Sequence, residues 1–359
     1  MKFFEKYTSN TLAAGGSQTM FLSDGTAATG RIFYKIFAAG EYGYSLLFQN
    51  IMDSTFADGS DSAAGNLCDE WEILGVKIYR SDLADPRAVK NGVALTFGGK
   101  TSKTVAPGEL FCSDEIPLSF QAGEYMCVEI AFRGERMPCH EESVLPVFVD
   151  TGNGFTASKK TPMPCMIGCN RKVKKRVVYL GDSITQGIGT PVDSYAHWAA
   201  KVSERLGTAY SFWNLGLGFG RAADAATDGS WLFKAKNCDV ATVCFGVNDL
   251  FRGYSPRQIA DNLGKILYIL HKNGVKVLLQ SVPPFDYGES TAPLWYETNR
   301  LIESELAPEA DALFKPYLAV GKGGAEPHAA RYGAHPGAEG CLRWAEMLYP
   351  VLKELVERA

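Results

Sequence analysis

The sequence contains no long apolar run. Nowhere in its 359 residues do about 18–20 uninterrupted apolar residues follow one another, the length that a membrane-spanning helix needs. The first residues, MKFFEKYTSNTLAAGG, carry charges among their apolar positions and lack the continuous apolar segment of a secretory signal. We therefore expect a cytoplasmic protein with no membrane partner.

An excess of basic residues is also missing. Lys and Arg number 36 against 40 Asp and Glu, which gives a formal net charge of −4. Surfaces that bind nucleic acid are rich in Lys and Arg, so no nucleic-acid partner is expected. The one basic run, RKVKKR at residues 171–176, is interpreted as a solvated linker rather than as a phosphate-binding patch.

The nine cysteines form no pattern of paired spacings. Their number is odd and they are scattered through apolar contexts such as EYMCVEI, which favours free thiols in a reducing compartment over a disulfide framework. Cys165 and Cys169 are four residues apart, but no second Cys or His pair accompanies them to complete a tetrahedral zinc site. No metal is predicted.

The first half of the chain has the rhythm of an all-β domain. Short alternating runs rich in Ile, Val, Tyr and Phe, for example WEILGVKIYRSD and EYMCVEIAF, are separated by Gly, Asp, Ser and Pro, with no helical stretch between them. Such runs predict an antiparallel β-sandwich, which we place at residues 1–165.

From residue 166 to 359 the rhythm changes to strand followed by helix. The apolar runs RVVYLGD, DVATVCFGVND and VKVLLQSVPPF alternate with amphipathic stretches such as SPRQIADNLGKILYILHKNG, where Ser255 can cap a helix that Pro256 begins. This alternation predicts an α/β domain with a parallel sheet covered on both faces. Reactive groups collect at the carboxyl ends of the strands of such sheets.

Four short segments of this half carry candidate chemistry. Ser183 follows Gly-Asp at the end of the first strand, outside the Gly-x-Ser-x-Gly context of an α/β-hydrolase. A serine nucleophile needs a base and donors for the oxyanion. NLGLGFG (214–220) and FGVND (245–249) end the next two strands, and YGAHPGAEG (332–340) holds a histidine ahead of the last helix.

These four blocks resemble, in order and spacing, the signature blocks of the SGNH (GDSL-type) hydrolase superfamily. The resemblance covers residues 174–359 and implies a three-layer α/β/α fold. The first half resembles, more loosely, the jelly-roll-like β-sandwich that precedes this domain in some bacterial esterases.

The resemblance assigns roles to individual residues. It makes Ser183 the nucleophile and His335 the general base. It supplies an oxyanion hole from the Ser183 backbone N–H, the Asn248 side chain and a backbone N–H of the glycine block. Counted from the start of that block the family's glycine falls on Phe219, so Gly218, Phe219 and Gly220 remain alternative donors.

The last block departs from the family pattern. The family places an aspartate three residues before its histidine, where this chain has Tyr332. Three alternatives follow: a Ser-His pair works without an acid, a recruited group orients His335, or the site is impaired. Tyr332, Glu326, Glu339 and a backbone carbonyl are the candidates for the recruited group.

Other polar and aromatic residues have structural interpretations. Asp182 is expected to shape the turn after the strand, and His197 to lie on a helix surface or in the core. His328 is a competing candidate for the base. The loop 285–287 and the pair at 295–296 could line a substrate groove.

We therefore predict a serine esterase that removes small acyl groups, in particular acetyl, from a carbohydrate, without metal or organic cofactor. Its partner would be a small-molecule or glycan ester. The alternatives are a lipid-directed esterase, lysophospholipase or thioesterase, and a glycan-binding protein whose hydrolase half is inactive. The sequence does not set the oligomeric state.

Overall fold

A computed structural model describes residues 2–15, 19–53, 67–140 and 142–359. The chain divides into two compact units, Met1–Lys172 and Val173–Ala359. The division lies after residue 172 rather than after residue 165, because the segment Met166–Cys169 is a strand that pairs with Gly40–Gln49 inside the first unit.

The first unit is built from strands. Its elements are helix α1 (Phe3–Lys6) and strands β1 (Thr8–Ser9), β2 (Thr19–Leu22), β3 (Ala28–Lys35), β4 (Gly40–Gln49), β5 (Trp71–Ser81), β6 (Val93–Leu95), β7 (Lys103–Val105), β8 (Leu110–Cys112), β9 (Ile116–Phe120), β10 (Tyr125–Arg133), β11 (Arg136–Cys139), β12 (Val147–Asp150), β13 (Thr156–Ala157) and β14 (Met166–Cys169).

All the strand pairs described in this unit are antiparallel, as predicted. One sheet has the order β1-β14-β4-β8 with β9 also on β4, and the other has the order β13-β12-β3-β10-β5-β6 with β7 also on β5. Phe97, in the turn after β6, packs its ring against Phe48 of β4 and Phe111 of β8. These rings join the two sheets through an apolar core, the arrangement of a β-sandwich.

The second unit alternates strands with helices. Its elements are β15 (Arg176–Gly181), α2 (Ser183–Gln186), α3 (Trp198–Leu206), β16 (Ser211–Asn214), α4 (Ala222–Ala225), α5 (Ser230–Ala235), β17 (Val240–Cys244), α6 (Val247–Phe251), α7 (Pro256–Lys272), β18 (Lys276–Gln280), α8 (Ala292–Leu301) with a π-helical turn (Ile302–Leu306), β19 (Ala312–Phe314), α9 (Tyr317–Val320) and α10 (Ala338–Arg358).

The strands of this unit form a parallel sheet in the order β16-β15-β17-β18-β19. Helices α3 and α10 pack together, with the rings of Trp198 and Trp344 stacked 5.5 Å apart, while α7 packs against α4 and α8. The three layers are those of the predicted α/β/α fold. Strand β16 lies on one side of β15, and the next strand in sequence, β17, lies on the other side. Where the strand order reverses in this way, a crevice forms at the carboxyl ends of the strands.

Local sequence signals explain where the longest central helix begins. The Ser255 hydroxyl oxygen accepts the Gln258 backbone N–H at 3.3 Å, and the Gln258 side-chain oxygen accepts the Ser255 N–H at 2.9 Å. Pro256 occupies the first turn, as predicted. Within the described ranges, no helix is both long and apolar enough to cross a membrane.

Candidate active site

Ser183 lies at the carboxyl end of β15, where the strand gives way to α2. Gly181 is required there by packing, since a Cβ at this position would lie 2.6 Å from the carbonyl oxygen of Cys244 on the neighbouring strand. Asp182 caps the short helix, because its Oδ1 accepts the backbone N–H of Ile184 at 3.0 Å. The Gly-Asp-Ser sequence thus ends the strand in a turn and leaves the serine half-buried at the carboxyl end of the sheet.

Asp182 itself is buried, with 1% of its surface exposed. Burial, with a smaller contribution from the nearby Asp249, raises the pKa of its carboxyl to about 7. A carboxyl that caps a helix from inside the core shapes the turn that presents Ser183. The prediction for Asp182 is confirmed.

His335 lies in the loop before α10, and its Nε2 is 2.9 Å from the Ser183 Oγ although 152 residues separate the two in sequence. Burial lowers the pKa of the imidazole, which favours its neutral form. A neutral Nε2 accepts the hydroxyl proton in such a hydrogen bond. The structure therefore brings together the two residues predicted as nucleophile and base.

Two close contacts fix where His335 sits. Gly189, at φ +93°, lies so near that a Cβ there would be 2.8 Å from the His335 carbonyl oxygen and 2.9 Å from its Cβ. The Phe285 ring meets the imidazole edge to face, with ring centroids 5.0 Å apart. Neither contact is visible in sequence spacing, and both are steric.

None of the residues predicted to orient His335 bonds to it. Across residues 2–15, 19–53, 67–140 and 142–359, Ser183 is its only hydrogen-bond partner, so Nδ1 has no acceptor there. Glu326 and Glu339 are exposed, and the carbonyl of Tyr332 accepts the Gly337 N–H at 3.4 Å. Burial alone accounts for the lowered pKa of the imidazole. The described residues present a Ser-His pair without a third member.

The glycine block folds into a tight loop after β16. The Leu217 N–H donates to the Gly181 carbonyl at 3.0 Å, which ties the loop to the strand that carries Ser183. The Gly220 N–H donates to the Leu217 carbonyl at 3.2 Å, which argues against Gly220 as an oxyanion donor. Phe219 has φ +59°, a backbone conformation that favours glycine. Gly218 and Phe219 stay as the candidate donors of this loop.

Asn248 is held against the same loop. It is the second residue of α6, and its Nδ2 donates to the Gly220 carbonyl at 3.0 Å. An amide nitrogen carries two hydrogens, and the described residues provide no acceptor for the second. Asn248 can therefore donate that hydrogen to a bound ligand.

Asp249, next in sequence, was not singled out by sequence reasoning. It is buried, and its carboxylate accepts the backbone N–H groups of Ala222 at 2.9 Å and Ala223 at 3.3 Å, at the start of α4. Burial raises the pKa of this carboxyl to about 6. Its position directly after Asn248 in the sequence GVND could have indicated a role near the site. Asp249 holds α4 and α6 together and so fixes the position of Asn248.

The other candidate histidines lie elsewhere. His197 is buried at the start of α3, its Nδ1 accepts the Ala200 N–H at 3.2 Å, and burial lowers its pKa to about 4. Its interpretation as a core residue is confirmed. The Nδ1 of His328 lies 3.1 Å from the Tyr296 hydroxyl, and no described contact links it to Ser183. His328 is therefore not paired with the candidate nucleophile.

Comparisons with known proteins find relatives of the second unit. Residues 179–342 match the GDSL-like Lipase/Acylhydrolase family. The chain is 26% identical to Esterase TesA of Pseudomonas aeruginosa over 184 residues, which are 50% of this chain and 89% of that protein. It is 24% identical to Arylesterase of Vibrio mimicus over 159 residues, 43% of this chain and 76% of that protein.

A solved structure, that of a carbohydrate acetylesterase family member from Sinorhizobium meliloti, is 17% identical and covers 51% of this chain and 99% of its own, with a TM-score of 0.43. The family match spans β15 to the start of α10 and so includes all four blocks around Ser183, the glycine loop, Asn248 and His335. Residues 179–342 therefore form a GDSL-like lipase/acylhydrolase domain, and the protein is a carboxylic ester hydrolase.

Proposed function

We propose that the second unit hydrolyses small acyl esters through a covalent acyl-enzyme on Ser183, with His335 as the general base. The observation that carries this proposal is the 2.9 Å separation between the Ser183 Oγ and the His335 Nε2. Serine is a poor nucleophile until a base within hydrogen-bond reach takes its proton. The proposal assigns that step to the neutral imidazole.

In the first half-reaction the Oγ attacks the ester carbonyl while its proton passes to Nε2. The imidazolium then gives this proton to the departing alcohol oxygen as the C–O bond breaks, which leaves the acyl group on Ser183. In the second half-reaction His335 takes a proton from water, the water oxygen attacks the acyl carbon, and the proton returns to Ser183 as the acid departs.

The tetrahedral intermediates carry a negative oxygen that needs donors. We assign this role to the second Nδ2–H of Asn248, to the Ser183 backbone N–H and to a backbone N–H at Gly218 or Phe219. The Asn248 amide is supported by its hydrogen bond to the Gly220 carbonyl, which fixes its direction before substrate arrives. Donors that are already aligned stabilise the transition state without the cost of reorganisation.

The proposed mechanism operates without an orienting acid. In triad enzymes this acid fixes the tautomer of the histidine and stabilises the imidazolium, and its replacement by an amide lowers kcat by roughly 10⁴. Here the steric contacts of Gly189 and Phe285 take over the positioning of the ring. We therefore propose a Ser-His dyad.

For the substrate we propose an acetyl or similarly short ester of a carbohydrate alcohol. The support is the antiparallel sandwich ahead of the esterase unit, an arrangement found in enzymes that act on glycans. Because a fold does not determine a substrate, this part of the proposal rests on analogy.

The test compares acetyl, butyryl and octanoyl esters of p-nitrophenol, then acetylated xylan and mannan with acetate release as the readout. We expect acetyl to be preferred and both Ser183→Ala and His335→Ala to lose at least about 10³ in kcat. His328→Ala is the matched control, a second loop histidine that should keep its activity. A phosphonate ester should add its mass to the wild type and not to Ser183→Ala.

Each competing interpretation has its own outcome. Preference for the octanoyl ester would indicate a lipid-directed esterase or thioesterase. Absence of hydrolysis with binding of the glycan would indicate a binding protein with an inactive hydrolase unit. Wild-type rates in Ser183→Ala would refute the assignment of the nucleophile.

A further inference from the structure

Two aromatic side chains extend from the imidazole toward the helix that carries Asn248. Phe285, in the loop after β18, contacts His335 at a centroid distance of 5.0 Å, and Phe251, at the end of α6, contacts Phe285 at 5.4 Å. Tyr287 stacks behind Phe251 at 5.5 Å with its ring buried. We refer to Phe285 and Phe251 as the aromatic wall.

Phe251 of the wall is on the same helix as the candidate oxyanion donor Asn248. Asn248 and Phe251 are three residues apart on α6, so they lie on one face of that helix. Phe251 is 52% exposed, and Phe285 is partly exposed beside it. Isolated exposed aromatic residues need no explanation, but this one adjoins a ring that touches the proposed base.

Hydrogen bonds hold the backbone at Phe285. The Phe285 N–H donates to the His328 carbonyl at 3.2 Å, and the neighbouring Asp286 accepts the Ala330 N–H at 2.9 Å. Both bonds join the Phe285 loop to the segment that leads into His335. Phe285 therefore keeps a fixed position relative to the imidazole, and Phe251 packs against Phe285.

The reaction chemistry indicates that the aromatic wall lies beside the alcohol part of the ester rather than the acyl part. His335 must deliver its proton to the oxygen of the departing alcohol, so this oxygen lies next to the imidazole when the C–O bond breaks. The group attached to that oxygen then extends along a surface that borders His335. Phe285 contacts the imidazole, and the exposed Phe251 contacts Phe285, so the wall is a candidate for this surface.

We propose that the aromatic wall is the alcohol subsite of the esterase and selects alcohols that present a flat apolar face. This inference rests on the proposed function of Ser183 and His335. A pyranose ring offers such a face through its C–H groups, and an aryl ring offers one through its π system. The wall carries no charge, so selection depends on ring contact rather than on ion pairing.

The experiment holds the acyl group constant and varies the alcohol. Ethyl acetate, phenyl acetate and a monoacetylated methyl pyranoside are compared with the wild type, Phe251→Ala, Phe251→Tyr and Tyr268→Ala. Tyr268 is the matched control, an aromatic residue that is 65% exposed on α7. We expect Phe251→Ala to lower the ratio of kcat/KM for a ring alcohol to that for ethyl acetate by about tenfold, equivalent to about 1.4 kcal/mol.

Phe251→Tyr should retain the ratio because it keeps the ring, and Tyr268→Ala should match the wild type. Loss on the pyranoside identifies a sugar as the occupant, and loss on phenyl acetate alone identifies an aryl alcohol. An unchanged ratio in Phe251→Ala, with hydrolysis still abolished by Ser183→Ala, would overturn the alcohol subsite and leave the proposed function standing. No hydrolysis of any ester by the wild type would overturn both.

Discussion

The close approach of Gly189 to His335 offers a direct test of whether the position of the imidazole controls activity. The perturbation is Gly189→Ala, which adds one methyl group at the contact. Its Cβ would lie 2.8 Å from the His335 carbonyl oxygen, whereas ordinary van der Waals contact begins at 3.4 Å. The His335 loop must therefore withdraw by roughly 0.5 Å.

That displacement has a kinetic and a thermodynamic cost. A misplacement of about 1 Å can cost roughly 100-fold in rate, so about half that distance corresponds to roughly tenfold in kcat. The alanine would also adopt φ +93°, and a left-handed backbone costs a residue with a Cβ about 1–2 kcal/mol. We expect a destabilised but folded protein with a lower kcat and a nearly unchanged KM.

The assay is steady-state hydrolysis of p-nitrophenyl acetate well below the melting temperature of each variant, with thermal unfolding measured in parallel. Gly274→Ala is the control, because Gly274 also has a positive φ, +78°, with no described atom within 4 Å of its missing Cβ. It should lose stability and keep its kcat. Full activity in folded Gly189→Ala, or an equal loss of kcat in Gly274→Ala, would refute the reasoning.

Three further predictions concern the same region. Asn248→Ala should lower kcat by about 10²–10³ in single-turnover assays, and a smaller effect than about threefold would exclude it as an oxyanion donor. Burial lowers the pKa of His335, so kcat/KM should fall on the acidic side of the pH profile with a midpoint below 6.5, where the imidazole becomes protonated. A midpoint above about 7 on that side would contradict this. The pKa of Asp182 is about 7 in the folded protein against an ordinary value of 3.8, so its carboxyl loses its proton at a lower pH in the unfolded chain than in the folded protein. The free energy of unfolding therefore falls as the pH rises from 3.8 to about 7. Asp182→Asn, which keeps the acceptor for Ile184, should show a smaller drop in melting temperature across that range, and an identical drop would argue against the buried carboxyl.

The fold could be predicted largely from periodicity. Continuously apolar strands alternating with capped amphipathic helices indicated the parallel sheet, and the signals at Ser255 and Pro256 located the start of α7. Strand β19, Ala312–Phe314, was not predicted because three residues carry no periodic signal. The strand Met166–Cys169 was assigned to the wrong half for a related reason, since only its pairing with β4 identifies the sheet to which it belongs.

The parts of the site that depend on residue type and order in the sequence could be predicted. The parts that depend on contacts between residues distant in sequence could not. Ser183 and His335 could be named because each stands in a short block of characteristic composition. Gly189 and Phe251 could not, because their importance comes from a close approach and from a shared helix face. Gly220 was proposed as a donor although its N–H is taken up inside the loop, and that hydrogen bond depends on a backbone path that sequence does not specify.

The acid of a catalytic triad has two tasks: it positions the histidine ring, and it stabilises the positive charge of the imidazolium. In this site the neighbours of His335 can perform only the first. Gly189 and Phe285 both lie close to His335, which restricts where the ring can lie although the described residues provide no acceptor at Nδ1. Neither contact stabilises the positive charge that forms when the imidazole takes a proton, and burial opposes that charge. A base of this kind stays neutral at lower pH but is weaker, so on the proposed mechanism more of the rate must come from the oxyanion donors. The two hydrogen bonds that connect the glycine loop to β15 and to Asn248 are consistent with such a division, because they keep those donors aligned while the base has only steric support.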